Sequence, residues 1–201
     1  MDSLTPAAPA PSSQTQSPPT LRHTWIDAVD AGLTRAAARP AIAMAIVAAF
    51  AMLLFLPAFF TLPITDRDEA RFAQASRQMA ETGDLIDIRL GDGPRYKKPV
   101  GIYWLQTAAR WIVGGQFDQA IWVYRLPSLV AAVASCLLTY LIALRLMGTR
   151  QALLSGLLMA TTLTLGAEAR IAKTDATLLM TILLAMWPLA RLHTTGKLSQ
   201  P

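Results

Sequence analysis

Long uncharged runs alternate with short charged links along this chain, and one polar stretch of about sixty residues interrupts them. The first run, Pro40 to Thr65, holds no Asp, Glu, Lys or Arg over twenty-six residues. At ~1.5 Å of rise per helical residue it exceeds the ~30 Å hydrocarbon core of a bilayer, which predicts a spanning helix over 40–64. Pro40 suits the first turn, and Pro57 and Pro63 predict a kink or an end on the far side. The run begins some forty residues in and outlasts the ~7–15-residue core of a signal peptide, so a retained anchor is expected. Further apolar runs predict spans over 126–147, 151–167 and 172–190. The Ser, Thr and Gly residues within them are the types that pack helices together in lipid. The expected fold is an all-α integral membrane protein: a multi-span helix bundle of about four spans, with amphipathic interfacial helices in a large first external loop.

The flanks read differently. Residues 1–39 form a cytoplasmic N-terminal tail. Its first twenty residues carry five of the thirteen prolines and a single charge, Asp2, too little apolar surface to offset ordering entropy. Leu21 to Arg39 then predicts an amphipathic lead-in with Trp25, Ile26, Val29 and Leu33 on one side. Residues 40–192 make up the membrane domain, and 193–201 a cytoplasmic tail. Arg22, Arg35 and Arg39 precede the first span, Arg145 and Arg150 join the second to the third, and Arg191 and Lys197 follow the fourth. Basic residues in short links mark the cytoplasmic side, so the 66–125 loop and the 168–175 link are expected to face outward.

That loop holds seventeen of the thirty-one charged residues. Thr65 or Asp66, followed three residues later by Asp68 or Glu69, is a helix-start pattern. Phe72, Ala75, Ser76 and Met79 repeat at helical spacing, and Gly83 supplies a stop. Asp84 to Leu90 alternates and predicts an extended stretch, and Gly91-Asp92-Gly93-Pro94 predicts a turn. The segment from Val100 to Ile112 carries the aromatics of an interfacial helix, and Arg110 argues against its crossing the bilayer. Capping and dipole compensation account for one acid at a helix start. Several acids at the end of a span, where charge is costly, point to function.

Composition narrows the class. Apolar side chains make up 53% of the 201 residues and charged ones only 15%, against roughly 25% charged in ordinary globular chains. A lone cysteine, Cys136, excludes an internal disulfide scaffold. The net charge of +5 is scattered among neutral stretches, which suits an anionic lipid surface and speaks against a nucleic-acid partner.

Asp68-Glu69-Ala70-Arg71-Phe72-Ala73, Gly83-Asp84, Tyr96-Lys97-Lys98-Pro99 and Tyr103-Trp104-Leu105, in that order after a first span, resemble the GT-C glycosyltransferases. The branch is the one containing the bacterial aminoarabinose transferase of lipid A and the dolichyl-phosphate-mannose protein mannosyltransferases. Arg170 and Asp175, between the third and fourth runs, are similar to that branch as well. The resemblance implies sugar transfer from a polyprenyl-phosphate donor to a lipid, glycan or protein acceptor at the external, periplasmic face of the inner (plasma) membrane. It implies catalytic roles for Asp68 and Glu69, and substrate-binding roles for Arg71, Tyr96, Lys98, Arg170 and Asp175, with Lys98 on the donor phosphate. It implies no resident cofactor and no fixed metal ligands, a divalent cation remaining open. Lys97 stands where many relatives have Glu. Relatives have about a dozen spans, so the resemblance implies an N-terminal portion of such an enzyme.

Two other readings compete. A non-catalytic membrane subunit or truncated remnant would keep the loop to bind lipid phosphate. A transporter fragment would place its ionisable residues within spans near the midplane, whereas here they crowd the loop.

Overall fold

The computed structural model describes residues 24–195, apart from 114 and 118. The expected disordered segment 1–20 and most of the closing tail 193–201 lie outside the described residues. The described chain is mostly helical: α1 Thr24–Ala37, α2 Pro40–Phe55, α3 Arg67–Thr82, α4 Gly101–Val113, α5 Ile121–Leu146, α6 Thr149–Ala160, α7 Leu163–Glu168 and α8 Asp175–Thr195. A minimal antiparallel hairpin, β1 Arg89–Leu90 with β2 Gly93–Pro94, lies between α3 and α4.

Among the described residues, α5 and α8 are each long and apolar enough to cross a membrane, and α1 with α2 would be so as one span bent by 112°. The expected span over 40–64 is helical only to Phe55; turns follow as far as Thr61, and Ala58 adopts a left-handed φ of 62°. Pro57 explains the stop: Leu56 before it is still helical (φ −71°, ψ −33°), but the proline ring has no N–H to carry the i→i−4 ladder further. The expected span over 151–167 breaks into α6 and α7. Thr161 and Thr162 turn their hydroxyls back onto the carbonyls of Leu158 and Met159, at 2.8 and 2.7 Å, and Thr162 is extended with ψ 124°. Such local bonds compete with the helical ladder. The expected extended stretch 84–90 is bends, strand geometry being confined to Arg89 and Leu90. There Asp84 Oδ1 accepts the backbone N–H groups of Ile86 and Asp87, which turns the chain.

Small residues set the packing of α2, α5 and α6. Ala43, Val47, Ala51 and Phe55 repeat every four residues along the buried stripe of α2. They meet Ala132, Cys136 and Tyr140 of α5 and Ala152, Leu153 and Ala160 of α6. Gly156 sits where the three helices cross: a Cβ there would come within 3.0 Å of Val47 Cγ2 and 3.2 Å of Tyr140 Cβ. Such close backbone approach replaces hydrophobic driving force where the surroundings are themselves apolar.

A second, smaller core holds α3 against α4. Phe72, Ala75 and Met79 pack with Ile88, Ile102 and Tyr103. The buried Ser76 hydroxyl donates to Gln106 Oε1 at 2.6 Å, and the Thr107 hydroxyl donates to the Ser76 carbonyl at 3.1 Å. Farther along, Arg110 Nη2 reaches Glu81 Oε1 at 3.3 Å. Residue numbers rise together on both helices, so α3 and α4 run parallel. Gln78 clamps the returning hairpin, donating to the Gly91 carbonyl at 2.9 Å and accepting from its N–H at 3.0 Å.

Candidate functional site

The start of α3 is built as its sequence requires. Asp66 is extended and caps the helix, its side chain accepting the Asp68 N–H at 3.0 Å, and Gly83 closes the other end with φ 72°. Because α4 runs parallel to α3, the Lys98-Pro99 approach to α4 lies at the same end of the pair as Asp68. Both helix N-termini, the positive ends of their dipoles, point that way.

Asp68 projects into solvent, its side chain 56% exposed, with Arg71 Nη1 at 3.4 Å one turn on. Tyr96 is exposed and donates its hydroxyl to Asp87 Oδ1 at 2.5 Å. That bond holds the Asp87 carboxyl below, and the phenol above, their ordinary values. Lys98 is exposed at the foot of α4.

Glu69 goes elsewhere. It is fully buried, and Arg125, equally buried, grips both its oxygens: Nε to Oε1 at 2.7 Å and Nη2 to Oε2 at 3.2 Å. Oε1 also accepts the Ala172 N–H at 3.1 Å. The remaining Arg125 donors go to the carbonyls of Phe59 and Leu62 from Nη1, at 3.3 and 2.8 Å, and of Pro63 from Nη2, at 3.1 Å. Arg125 thus satisfies carbonyls that the turns after α2 leave unpaired, which is the use of a guanidinium with five fixed donors. Arg170 works on the same segment, bonding the Pro57 carbonyl at 2.9 Å, the Leu54 carbonyl, and the Gly166 carbonyl of the preceding α7 at 2.6 Å. The structure therefore brings Arg170 to the end of α2 and not to Asp68.

Asp175 opens α8 and shares a cavity of about 340 Å³ with Glu168, walled by Met159, Leu165, Ala176 and Leu179. Glu168 Oε2 is buried without a hydrogen-bond partner among the described residues. Desolvation pushes the Glu168 carboxyl above its ordinary value, and the negative charges of Asp175 and Asp66 add to this against Lys173. Lys173 pairs with the Asp66 carboxylate, which lowers Asp66 and raises Lys173. Asp66, Glu168, Lys173 and Asp175 therefore form one electrostatic neighbourhood at the start of α3. Among the described residues, no group of three or more His, Cys, Asp or Glu could hold a metal ion.

Arg125 and Lys173 are the partners that reading the sequence did not single out. In the sequence Arg125 is simply the last residue of the 66–125 loop. The signal available was its place one residue before an uncharged run, where a charge needs a partner.

The described helices form an all-α membrane-type bundle, with a loop of paired acids and bases between α2 and α5. Residues 97–200 match the family described as dolichyl-phosphate-mannose-protein mannosyltransferase, and the chain belongs to that family of glycosyltransferases. It is similar to proteins named undecaprenyl phosphate-alpha-4-amino-4-deoxy-L-arabinose arabinosyl transferase. That of Photorhabdus laumondii subsp. laumondii is 35% identical over 101 residues, 42% of this chain and 18% of that protein. That of Pectobacterium carotovorum subsp. carotovorum is 32% identical over 118 residues, 56% and 20% of the two chains. That of Pectobacterium atrosepticum is 33% identical over 124 residues, 59% and 20%. The chain spans about a fifth of the length of these relatives. No solved structure matches it.

Proposed function

We propose that this chain supplies the first-loop part of a site that transfers a sugar from a polyprenyl-phosphate donor to a lipid, glycan or protein acceptor. The site faces the periplasmic side of the inner (plasma) membrane. The observation that carries the reading is the parallel pairing of α3 and α4, which gathers an exposed carboxylate, Asp68, and an exposed ammonium, Lys98, at one end of a helix pair. Breaking the bond from the anomeric carbon to phosphate leaves negative charge on the departing phosphate. Lys98 and Arg71, beside two helix N-termini, stabilise that charge. Asp68 accepts the proton of the acceptor hydroxyl, a contribution of roughly 10²–10⁴-fold. Asp175 is the second acid of the site, and Tyr96 orients the donor head beside Lys98. Arg170 serves the site from behind, by holding the end of α2.

The test is transfer in membrane vesicles containing the complete protein, with undecaprenyl-phosphate-linked aminoarabinose as the probe donor. Asp68→Asn is expected to accumulate normally and lose transfer, and Lys98→Ala to lose donor affinity. Normal transfer by Asp68→Asn overturns the reading. Donor binding that Lys98→Ala weakens, without transfer by the wild type, favours the non-catalytic lipid-phosphate binder instead.

A further inference from the structure

We infer that Glu69 and Arg125 form a latch that positions the reacting groups and does not itself carry a proton. The inference rests on the transferase reading above, and it assigns Arg125 and Lys173 a part that the site residues alone do not. Both partners of the latch are fully buried. A proton carrier must reach its acceptor, and the Glu69 carboxylate is walled off from solvent with each oxygen already accepting a bond from Arg125. One residue along α3, a turn of about 100° about the helix axis, puts Asp68 in the open. The two adjacent acids are therefore divided by the helix into an exposed one and an anchored one.

The anchor reaches across the molecule. Through Oε1, Glu69 holds the backbone N–H of Ala172, and the next residue, Lys173, places its ammonium on Asp66, the cap of the same helix. Ser128 of α5, one turn beyond Arg125, donates to the Lys173 carbonyl at 3.2 Å. The 169–174 link is thereby fixed from both α3 and α5, and Asp175 follows it directly. Without the latch, the link that carries Lys173 and Asp175 loses its register against Asp66 and Asp68.

The experiment uses the complete protein in membrane vesicles and two readouts. A zero-length carbodiimide joins the Asp66 carboxylate to the Lys173 amine, and peptide mass spectrometry measures the yield. Transfer from undecaprenyl-phosphate-linked aminoarabinose gives kcat, KM and the pH profile. Glu69→Gln keeps the shape of the side chain but sets an amide N–H against Arg125. It is expected to lose most of the 66–173 cross-link and to lower kcat on the order of 10²-fold, as for misplacement of catalytic groups by about an ångström. KM and the limbs of the pH profile should stay in place. Should Glu69→Gln fail to accumulate, Arg125→Lys, which keeps the charge and loses the fork, is read in the same way. A cross-link retained at the wild-type level overturns the latch, and with a shifted pH limb it makes Glu69 the proton carrier. If the wild type transfers no sugar, the transferase reading falls, while the cross-link yields still decide whether the latch sets the position of Lys173.

Discussion

The Asp66 carboxylate binds two groups at once: the N–H of Asp68 within its own helix, at 3.0 Å, and the ammonium of Lys173, from a link far along the chain. One side chain therefore starts α3 and ties it to the approach of α8. Asn caps a helix as well as Asp does, so Asp66→Asn isolates the ion pair from the cap. We expect Asp66→Asn to lower the melting temperature in detergent less than Asp66→Ala, which loses both. The pair has a defined pH window. Asp66 is held below its ordinary 3.8, so its contribution is present above that value and disappears as pH falls through the depressed one. Lys173 is raised above 10.5, so its share is present below that value and disappears as pH rises through the raised one. The difference between wild type and Asp66→Asn should be flat between those limits, and a difference that grows through neutral pH would contradict the pairing.

The buried pair behind it predicts an order of damage. Arg125→Ala leaves Glu69 as an uncompensated buried charge and strips donors from the carbonyls of Phe59, Leu62 and Pro63. Breaking a buried pair from one side costs about 3–5 kcal/mol. Glu69→Gln leaves Arg125 as the charge without its carboxylate, but still bonded to those three carbonyls, and so should cost less. Unfolding followed in detergent by urea checks the ranking, and equal losses would mean that the carbonyl bonds contribute nothing.

The crossing at Gly156 predicts a steric rescue. Gly156→Ala places a Cβ 3.0 Å from Val47 Cγ2 and 3.1 Å from Cγ1, and overpacking of this kind costs about 1–3 kcal/mol. Val47→Ala alone opens a void. The double variant should be more stable than the sum of the single losses implies, a coupling that a double-mutant cycle reads directly. Additive losses would place the two residues out of contact.

Much of this architecture was legible because local rules decided it. Asp66 and Gly83 bound α3 as the capping pattern predicts, and the positions chosen for its buried stripe (Phe72, Ala75, Ser76, Met79) are all buried. The segment from Val100, expected to be helical, is α4. Where a run was merely apolar, its length misled: Pro57 ends α2 early, and two threonines break the third run. Hydropathy reports solvent preference and says nothing of where the backbone ladder stops. The site was legible as a set of charges, but not as pairs. Asp68 and Glu69 look alike in sequence and differ by one helical step in structure. The partner of Glu69 lies far along the chain, in a contact that only tertiary packing creates.

Glu168 gives a prediction opposite in sign to that for Asp66. Its carboxyl lies above the ordinary 4.5, first because burial disfavours the charged form and then because Asp175 and Asp66 stand near. A group raised in this way contributes stability that is complete below its unfolded pKa and is lost as pH rises through its folded one. At neutral pH an ionised Glu168 is therefore a cost, and Glu168→Gln should raise the melting temperature there. The gain should shrink steadily as pH is lowered toward 4.5 and then vanish. Thermal unfolding of the two proteins in detergent across that range checks the sign. A variant less stable than wild type at neutral pH would mean that the Glu168 carboxylate is held as an anion, with the Lys173 ammonium outweighing burial and both neighbouring acids.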